Sequence, residues 1–293
     1  MNIQWYPGHM TKTRRQMEQD IRLVDAVCEI VDARIPLSSR NPDIDAICGD
    51  KPRMVILNRM DMADPNMTRR WGAYFRSQGK MVLETDCKNR KGTNQFAPAV
   101  RELLKEKLQR YAEKGQIGRT VRVMVVGIPN VGKSTFINQV AGRKSAKAEN
   151  RPGVTRGKQW VTVERGLELL DTPGILWPKF EDPEVGRKLA YTGAVKDNVV
   201  DVETLAMHLM ELLGSAYPEA LEGRYKIVVP EQVQGLELLE LAGRKRGMLI
   251  SGGEVDIERM SRVLLEEYRS GKLGRFTLEQ PPVREENDHG QEA

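Results

Sequence analysis

At 293 residues, with 40% apolar and 30% charged side chains, the chain has the composition of a soluble globular protein with room for two domains. With no apolar run near 18 residues and no basic-then-apolar leader, neither a transmembrane helix nor a secretory signal is expected, and three scattered cysteines with only three histidines point to reduced cytoplasmic thiols rather than a zinc site. Charge is uneven: residues 1–178 hold 31 Lys and Arg against 19 Asp and Glu, a net +12, while residues 179–293 carry −7, so the first part suits a polyanion such as RNA, an anionic membrane or a nucleotide.

The chain starts with Trp5-Tyr6-Pro7-Gly8-His9-Met10, a Pro-Gly turn, and Met17, Ile21 and Val24 then share one face of a helix predicted over residues 11–23. An apolar run at 27–31, closing on Asp32, reads as a buried strand. A loop follows from Arg34-Ile35-Pro36, then a short helix at 41–47. The second strand, 54–57, ends in Asn58-Arg59-Met60-Asp61. A helix at 71–78 and a third strand at 81–83 lead to Thr85-Asp86-Cys87-Lys88. Residues 98–112 read as one helix with Val100, Leu103, Leu104 and Leu108 as its stripe. Strands alternating with helices predict a mostly parallel sheet covered on both faces, an α/β fold.

Residues 127–134, Gly-Ile-Pro-Asn-Val-Gly-Lys-Ser, fit GxxxxGK[ST] between an apolar strand (121–126) and a helix (135–141), the setting a phosphate loop needs. The amides of Asn130, Val131, Gly132, Lys133, Ser134 and Thr135 would cradle phosphate oxygens. Lys133 would reach the β- and γ-phosphates, and the Ser134 hydroxyl would hold Mg²⁺. The polar, basic stretch 143–158 has no apolar period and reads as a mobile loop. It contains Thr155, where a switch threonine would close over Mg²⁺. Strands at 160–163 and 167–170 follow, the second ending in Asp171-Thr172-Pro173-Gly174. Asp171 would bind Mg²⁺ through water, and the Gly174 amide would meet the γ-phosphate.

Asn58–Asp61 fits NxxD, whose acid accepts the N1 and exocyclic N–H donors of guanine. Adenine lacks those donors and would leave a buried carboxylate unpaired. Asn58, Arg59, Met60 and Asp61 are therefore candidate base-binding residues, with Asp86 and Cys87 in a second base loop. From about residue 179 helices dominate: 201–213 stopped by Gly214, 232–242 stopped by Gly243, and 256–270 stopped by Gly271. Residues 281–293 read as a polar, disordered tail.

The motif order is base, base, phosphate loop, switch, DxxG, a rotation of the usual GTPase order that nearby domain termini permit. Together with WYPGHM at the start, DARIP at 32–36 and PGVT at 152–155, it resembles the circularly permuted GTPases, most closely the bacterial ribosome biogenesis GTPase A family (YlqF/RbgA-like). The resemblance implies a permuted P-loop GTPase domain with an N-terminal arm over residues 1–178 and a helical RNA- or ribosome-binding domain over 179–280. It implies a cytoplasmic, monomeric GTPase using GTP/GDP and Mg²⁺ late in large (50S) ribosomal subunit assembly. Its partners would be the subunit precursor, its rRNA and its ribosomal proteins. Such a protein binds the particle in the GTP state, is stimulated by it and leaves after hydrolysis. An RNA-binding scaffold with a slow regulatory GTP site is the other reading open here.

Two positions depart from common GTPase patterns. Arg59 stands where NKxD has lysine, and Ile175 follows DTPG where Ras-like enzymes place a water-orienting glutamine. Catalysis must then come from elsewhere. His9 is the candidate beside Lys133 and Thr155, the alternative being a structural histidine in an RNA-contacting arm. Asn130 is at the position that holds K⁺ in related potassium-stimulated GTPases; its other reading is a turn-stabilising asparagine. Basic groups for RNA in the acidic half would come from Arg244, Lys245, Arg246, Lys272 and Arg275.

Overall fold

Six short, β-branched-rich segments form one sheet in the computed structural model, which describes residues 9–142, 159–177 and 180–282, with only the backbone of His9. They are β1 (Ala26–Asp32), β2 (Arg53–Asn58), β3 (Met81–Thr85), β4 (Val121–Val126), β5 (Gln159–Glu164) and β6 (Leu167–Asp171). Their spatial order is β3-β2-β1-β4-β6-β5, parallel throughout except for the β5–β6 hairpin. β1 is buried along its whole length, as a central parallel strand must be when both faces are covered. The chain winds outward from β1 through β2 to β3, then returns to β4 and winds the other way. The reversal lies between β1 and β4, where an open α/β sheet leaves a crevice at its carboxyl edge. Register aligns Asp32 with Asn58 and Asn58 with Thr85 on that edge, and Val125 with Asp171.

The helices close the two faces. α1 (His9–Asp20) and the following turn bury Met17, Ile21 and Val24 against Met124, Val126, Leu170 and Ile175, as their spacing predicts. After α2 (Asp43–Cys48), α3 (Pro65–Ser77) starts six residues before its expected position. Asp64 accepts hydrogen bonds from the amides of Asn66 and Met67, and Pro65 occupies the first turn. The single helix expected over 98–112 is two, α4 (Phe96–Leu103) and α5 (Lys105–Glu113). Leu104 between them is buried, while α5 has no fully buried residue and only its Leu108 packs partly against the core. α6 (Lys133–Val140) begins within the phosphate-loop motif.

The remaining helices are α7 (Pro183–Tyr191), α8 (Val202–Ala216), α9 (Pro218–Tyr225), α10 (Gly235–Lys245) and α11 (Ile257–Ser270). α7 and α9 are too short for the apolar period to reveal. Gly271 ends α11 in the left-handed conformation as expected, but Gly214 and Gly243 do not stop their helices. A β-carbon at Gly214 would come within 2.8 Å of Val233 Cγ1 and 2.9 Å of Leu238 Cδ1, and one at Gly243 would run into Val255. Both glycines are contact points inside helices, where neighbouring chain approaches closely. Beyond Leu273 the chain leaves the helices and lies across the sheet half, with Leu278 N donating to Arg34 O.

Candidate functional site

β4 is apolar and buried, and it delivers the chain into a loop where side chains do not fit. A β-carbon on Gly127 would lie 2.6 Å from Ile30 O, and one on Gly132 would collide with the Asn58 amide. The loop can therefore hug the sheet edge and present α6 by its positive end. Lys133 is buried, and its Nζ donates to Gly127 O (3.1 Å) and Ile128 O (3.0 Å). Burial lowers its pKa to about 8, opposed by Asp171. Asp171, the last residue of β6, has both carboxylate oxygens buried with no hydrogen-bond partner among the described residues. Burial raises its pKa to about 6, opposed by Lys133 and the Thr172 amide. Thr172 is fixed by its own bond to Val125 O (2.7 Å). Gly174 completes the group: a β-carbon there would sit 2.7 Å from Lys133 Nζ and 2.8 Å from Pro129 N. Lys133, Asp171 and Gly174 thus converge, beside half-buried Ser134 and Thr135. A buried carboxylate with neither oxygen satisfied, near a hydroxyl at a helix start, fits the oxygen-donor set of Mg²⁺.

On the base side, Asn58 ties two loops together. Its Nδ2 donates to Val131 O (2.9 Å), and its Oδ1 accepts from Thr85 Oγ1 (3.1 Å). Arg59 takes the left-handed conformation (φ 62°) and donates to Asn130 O (2.5 Å). Its guanidinium thereby ties the base-binding turn to the phosphate loop. Met60 N donates to Thr85 O, joining the two base loops. Asp61 is half-buried, and burial and the neighbouring Asp86 raise its pKa. Asp86 itself is buried, with its carboxylate accepting from Asn89 N (3.0 Å) and Nδ2 (2.7 Å). That side chain braces the 86–91 turn. Cys87 is buried with its thiol pushed up to about 12 by burial. Asp61 and Asp86 border a cavity of about 440 Å³ shared with Arg69, Lys91 and Arg275.

Asn130 is also left-handed (φ 58°), and its amide donates to Gly193 O (2.7 Å) just beyond α7. With Arg59, Lys196, Arg262 and Arg269 it lines a larger cavity, about 790 Å³, between the phosphate loop and the helices. Lys133 and Asp171 do not reach it, so the larger cavity adjoins the phosphate chemistry rather than containing it. Ile175 turns into the core beside Val126 and Leu170, away from any water-orienting role. Thr155 and the rest of 143–158 lie outside the described residues, as does the side chain of His9 at the start of α1.

Sequence reasoning gave no role to Asp32 and Arg34 of the DARIP segment. They form a two-pronged buried ion pair, Nε–Oδ1 2.9 Å and Nη2–Oδ2 2.7 Å. Arg34 also donates to Tyr268 O (3.2 Å) and lies 5.1 Å from the Tyr268 ring centroid. An acid closing a buried strand with arginine two positions on was the available signal. Three of the cations assigned to RNA have internal partners: Arg244 donates to Gly253 O, Arg246 pairs with Glu267, and Arg275 donates to Met60 O and Ala63 O.

A family model described as 50S ribosome-binding GTPase matches residues 122–226. Ribosome biogenesis GTPase A of Priestia megaterium is 49% identical over 288 residues, covering 98% of this chain and 99% of its own. The protein of that name from Thermotoga maritima is 33% identical, covering 98% and 100%. Mitochondrial ribosome-associated GTPase 1 of Mus musculus is 34% identical, covering 94% and 89%. Among solved structures, GDP-bound YlqF matches with a TM-score of 0.67 at 30% identity, over 91% of this chain and 99% of that one. GNP-bound YlqF from T. maritima matches at 0.63, over 92% and 98%.

Proposed function

The chain belongs to the ribosome biogenesis GTPase A family, and on that premise we propose that it is a GTP-hydrolysing assembly factor of late large-subunit (50S) maturation. It works as a cytoplasmic monomer that binds the pre-ribosomal particle, through rRNA and ribosomal proteins, in the GTP state and leaves after hydrolysis. The observation that carries the reading is the orphaned carboxylate of Asp171 facing Lys133 across a phosphate loop that Asn58 and Arg59 tie to the base loops. Phosphate binding and base reading are thereby one mechanical unit.

Lys133 exchanges its two carbonyl partners for phosphate oxygens, which favours its protonated form. The amides from Asn130 to Thr135 take the remaining phosphate oxygens, and Asp61 accepts the guanine N–H donors. Ser134, Thr155 and Asp171 would hold Mg²⁺, which would supply charge neutralisation at the phosphates. Thr155 and the Gly174 amide respond to the γ-phosphate, and His9 orients the attacking water. The Asn130 side-chain oxygen would hold K⁺, which would supply positive charge where other GTPases use arginine. Residues 1–178 act as the GTPase unit and 179–280 as the ribosome-contacting unit.

Co-sedimentation with large ribosomal subunits under GTP analogue, GDP and no nucleotide tests this. Retention is expected only with the analogue, together with GTP turnover that rises when subunits are added. Equal retention in all three states, with turnover indifferent to subunits, refutes it.

A further inference from the structure

The segment after α11 returns to the loop that follows Asn58. Phe276 N donates to Met62 O (2.9 Å), and Asp64 N donates to Thr277 Oγ1 (3.2 Å). Arg275 spans the turn: Nε donates to Ala63 O (3.0 Å) and Nη2 to Met60 O (2.8 Å). Residues 60–64 are therefore held from outside by residues more than two hundred positions later in the chain. The turn needs holding. Arg59 sits in the left-handed region at φ 62°, a conformation strained for a residue that carries a side chain. Its internal bonds, Met62 N to Arg59 O and Met60 N to Thr85 O, do not fix the far side of the loop.

The returning segment is itself anchored. Trp71 Nε1 donates to Glu279 O (3.1 Å). The Glu279 carboxylate accepts from Leu37 N (2.7 Å) and pairs with Lys188 (3.3 Å). Thr277 exchanges hydrogen bonds with the Tyr217 hydroxyl. The arginine thus acts from a fixed base, although its own side chain is largely solvent-exposed.

We propose that Arg275 is a positioning residue for guanine recognition. It caps the Met60 and Ala63 carbonyls and so sets the Asp61 carboxylate against the N1–H and exocyclic amine of the base. This rests on reading Asp61 as the guanine acceptor. Arg275 acts through the backbone on either side of Asp61, at the Met60 and Ala63 carbonyls. The guanidinium reaches the two carbonyls with a rigid planar fork that a point-like ammonium does not reproduce, so lysine is a partial substitute.

Calorimetric binding of GDP and IDP to the full chain tests the proposal, because IDP lacks the exocyclic amine. Arg275→Ala is expected to weaken GDP binding about fivefold to twentyfold and IDP binding much less, so that the guanine-over-inosine ratio falls, with the melting temperature unchanged. Arg275→Lys should lie between the two. Asp61→Asn is the separate control, expected to move preference from GDP to XDP, whose second oxo group accepts from the asparagine amide. If Asp61→Asn shows that move while Arg275→Ala keeps the wild-type ratio, the positioning role is wrong and the Asp61 reading stands. If Asp61→Asn still prefers GDP, the Asp61 reading falls and the proposal with it. An equal loss of GDP and IDP binding with a lowered melting temperature makes Arg275 a merely structural residue and also overturns the proposal.

Discussion

Arg34→Met is the most demanding test of how the two halves are joined. Arg34 and Asp32 are 1% and 2% exposed, and their double-pronged pairing leaves neither charge facing water. Burial alone would raise the Asp32 pKa, but the charge and hydrogen bonds of Arg34 outweigh it and hold the carboxyl below its ordinary value. Methionine keeps the bulk and removes the cation, leaving Asp32 with the residue-34 amide as a donor (3.0 Å) and Arg59 as the nearest cation, at 3.7 Å. Stranding a buried charge costs about 3–5 kcal/mol. The lost contacts to Tyr268 add roughly 1 kcal/mol. A loss of about 4–6 kcal/mol is a large part of the 5–15 kcal/mol typical of a folded protein. Urea denaturation at pH 7 measures it. Adding Asp32→Asn to the same chain removes the stranded charge and should recover about 2 kcal/mol. The sign with pH follows from the depressed folded pKa. The stabilisation from Asp32 is present above its unfolded pKa, about 4, and is lost as pH falls through the lower folded value. The gap between wild type and Arg34→Met should therefore narrow in acid. A loss under 1 kcal/mol, or a double variant no more stable than the single, refutes the reasoning.

Asp171→Asn should weaken Mg²⁺-dependent nucleotide binding more than tenfold while raising nucleotide-free stability by about 1 kcal/mol, because it removes a buried charge that has no hydrogen-bond partner among the described residues; lost stability in the nucleotide-free chain would contradict this. Gly214→Ala should cost about 1–3 kcal/mol through contact with Val233 and Leu238, whereas Gly223→Ala in α9, with open space around it, should gain about 0.5–1 kcal/mol, both read by chemical denaturation. Cys28, Cys48 and Cys87 are buried with thiol pKa values raised by burial, so a thiol reagent at pH 8 should find no fast-reacting group until the chain unfolds.

The sheet was legible because its strands are short apolar runs that each end in a polar motif, and those motifs share one edge. NxxD, the phosphate loop and DxxG could be placed before their partners were known, since strand ends in a parallel sheet are where such residues gather. Asp86 was legible only as a position. Its carboxylate braces a turn, and NxxD-type spacing does not report side-chain direction. Gly214 and Gly243 misled because a glycine at a close approach between elements and a glycine at a helix end look alike locally; Val233, Leu238 and Val255, which decide the matter, lie elsewhere in the chain. Arg275 was assigned to RNA for the same reason. Its carbonyl partners are over two hundred residues away, and charge alone does not reveal them.

Asn130 joins the phosphate loop to the helices through a single side chain. Its amide nitrogen donates to Gly193 O, and its amide oxygen is the atom a K⁺ ion would take. Both engagements are compatible, because they use opposite ends of one planar group held by a left-handed backbone. A cation at the oxygen would orient the nitrogen towards Gly193 and stiffen the turn after α7, where Asp197 pairs with Arg269, itself bonded to Ala190 O and Tyr191 O at the end of α7. Hydrolysis in wild type should then be faster in KCl than in NaCl at equal ionic strength, and amides of residues 192–197 should exchange more slowly in KCl with GTP analogue bound. Asn130→Ala removes both ends of the group. It should erase the preference for K⁺ and bring exchange in that turn to one faster rate in either salt. Should the alanine variant keep its K⁺ preference, or should exchange at 192–197 be indifferent to the substitution, Asn130 does not couple the cation to the helical half.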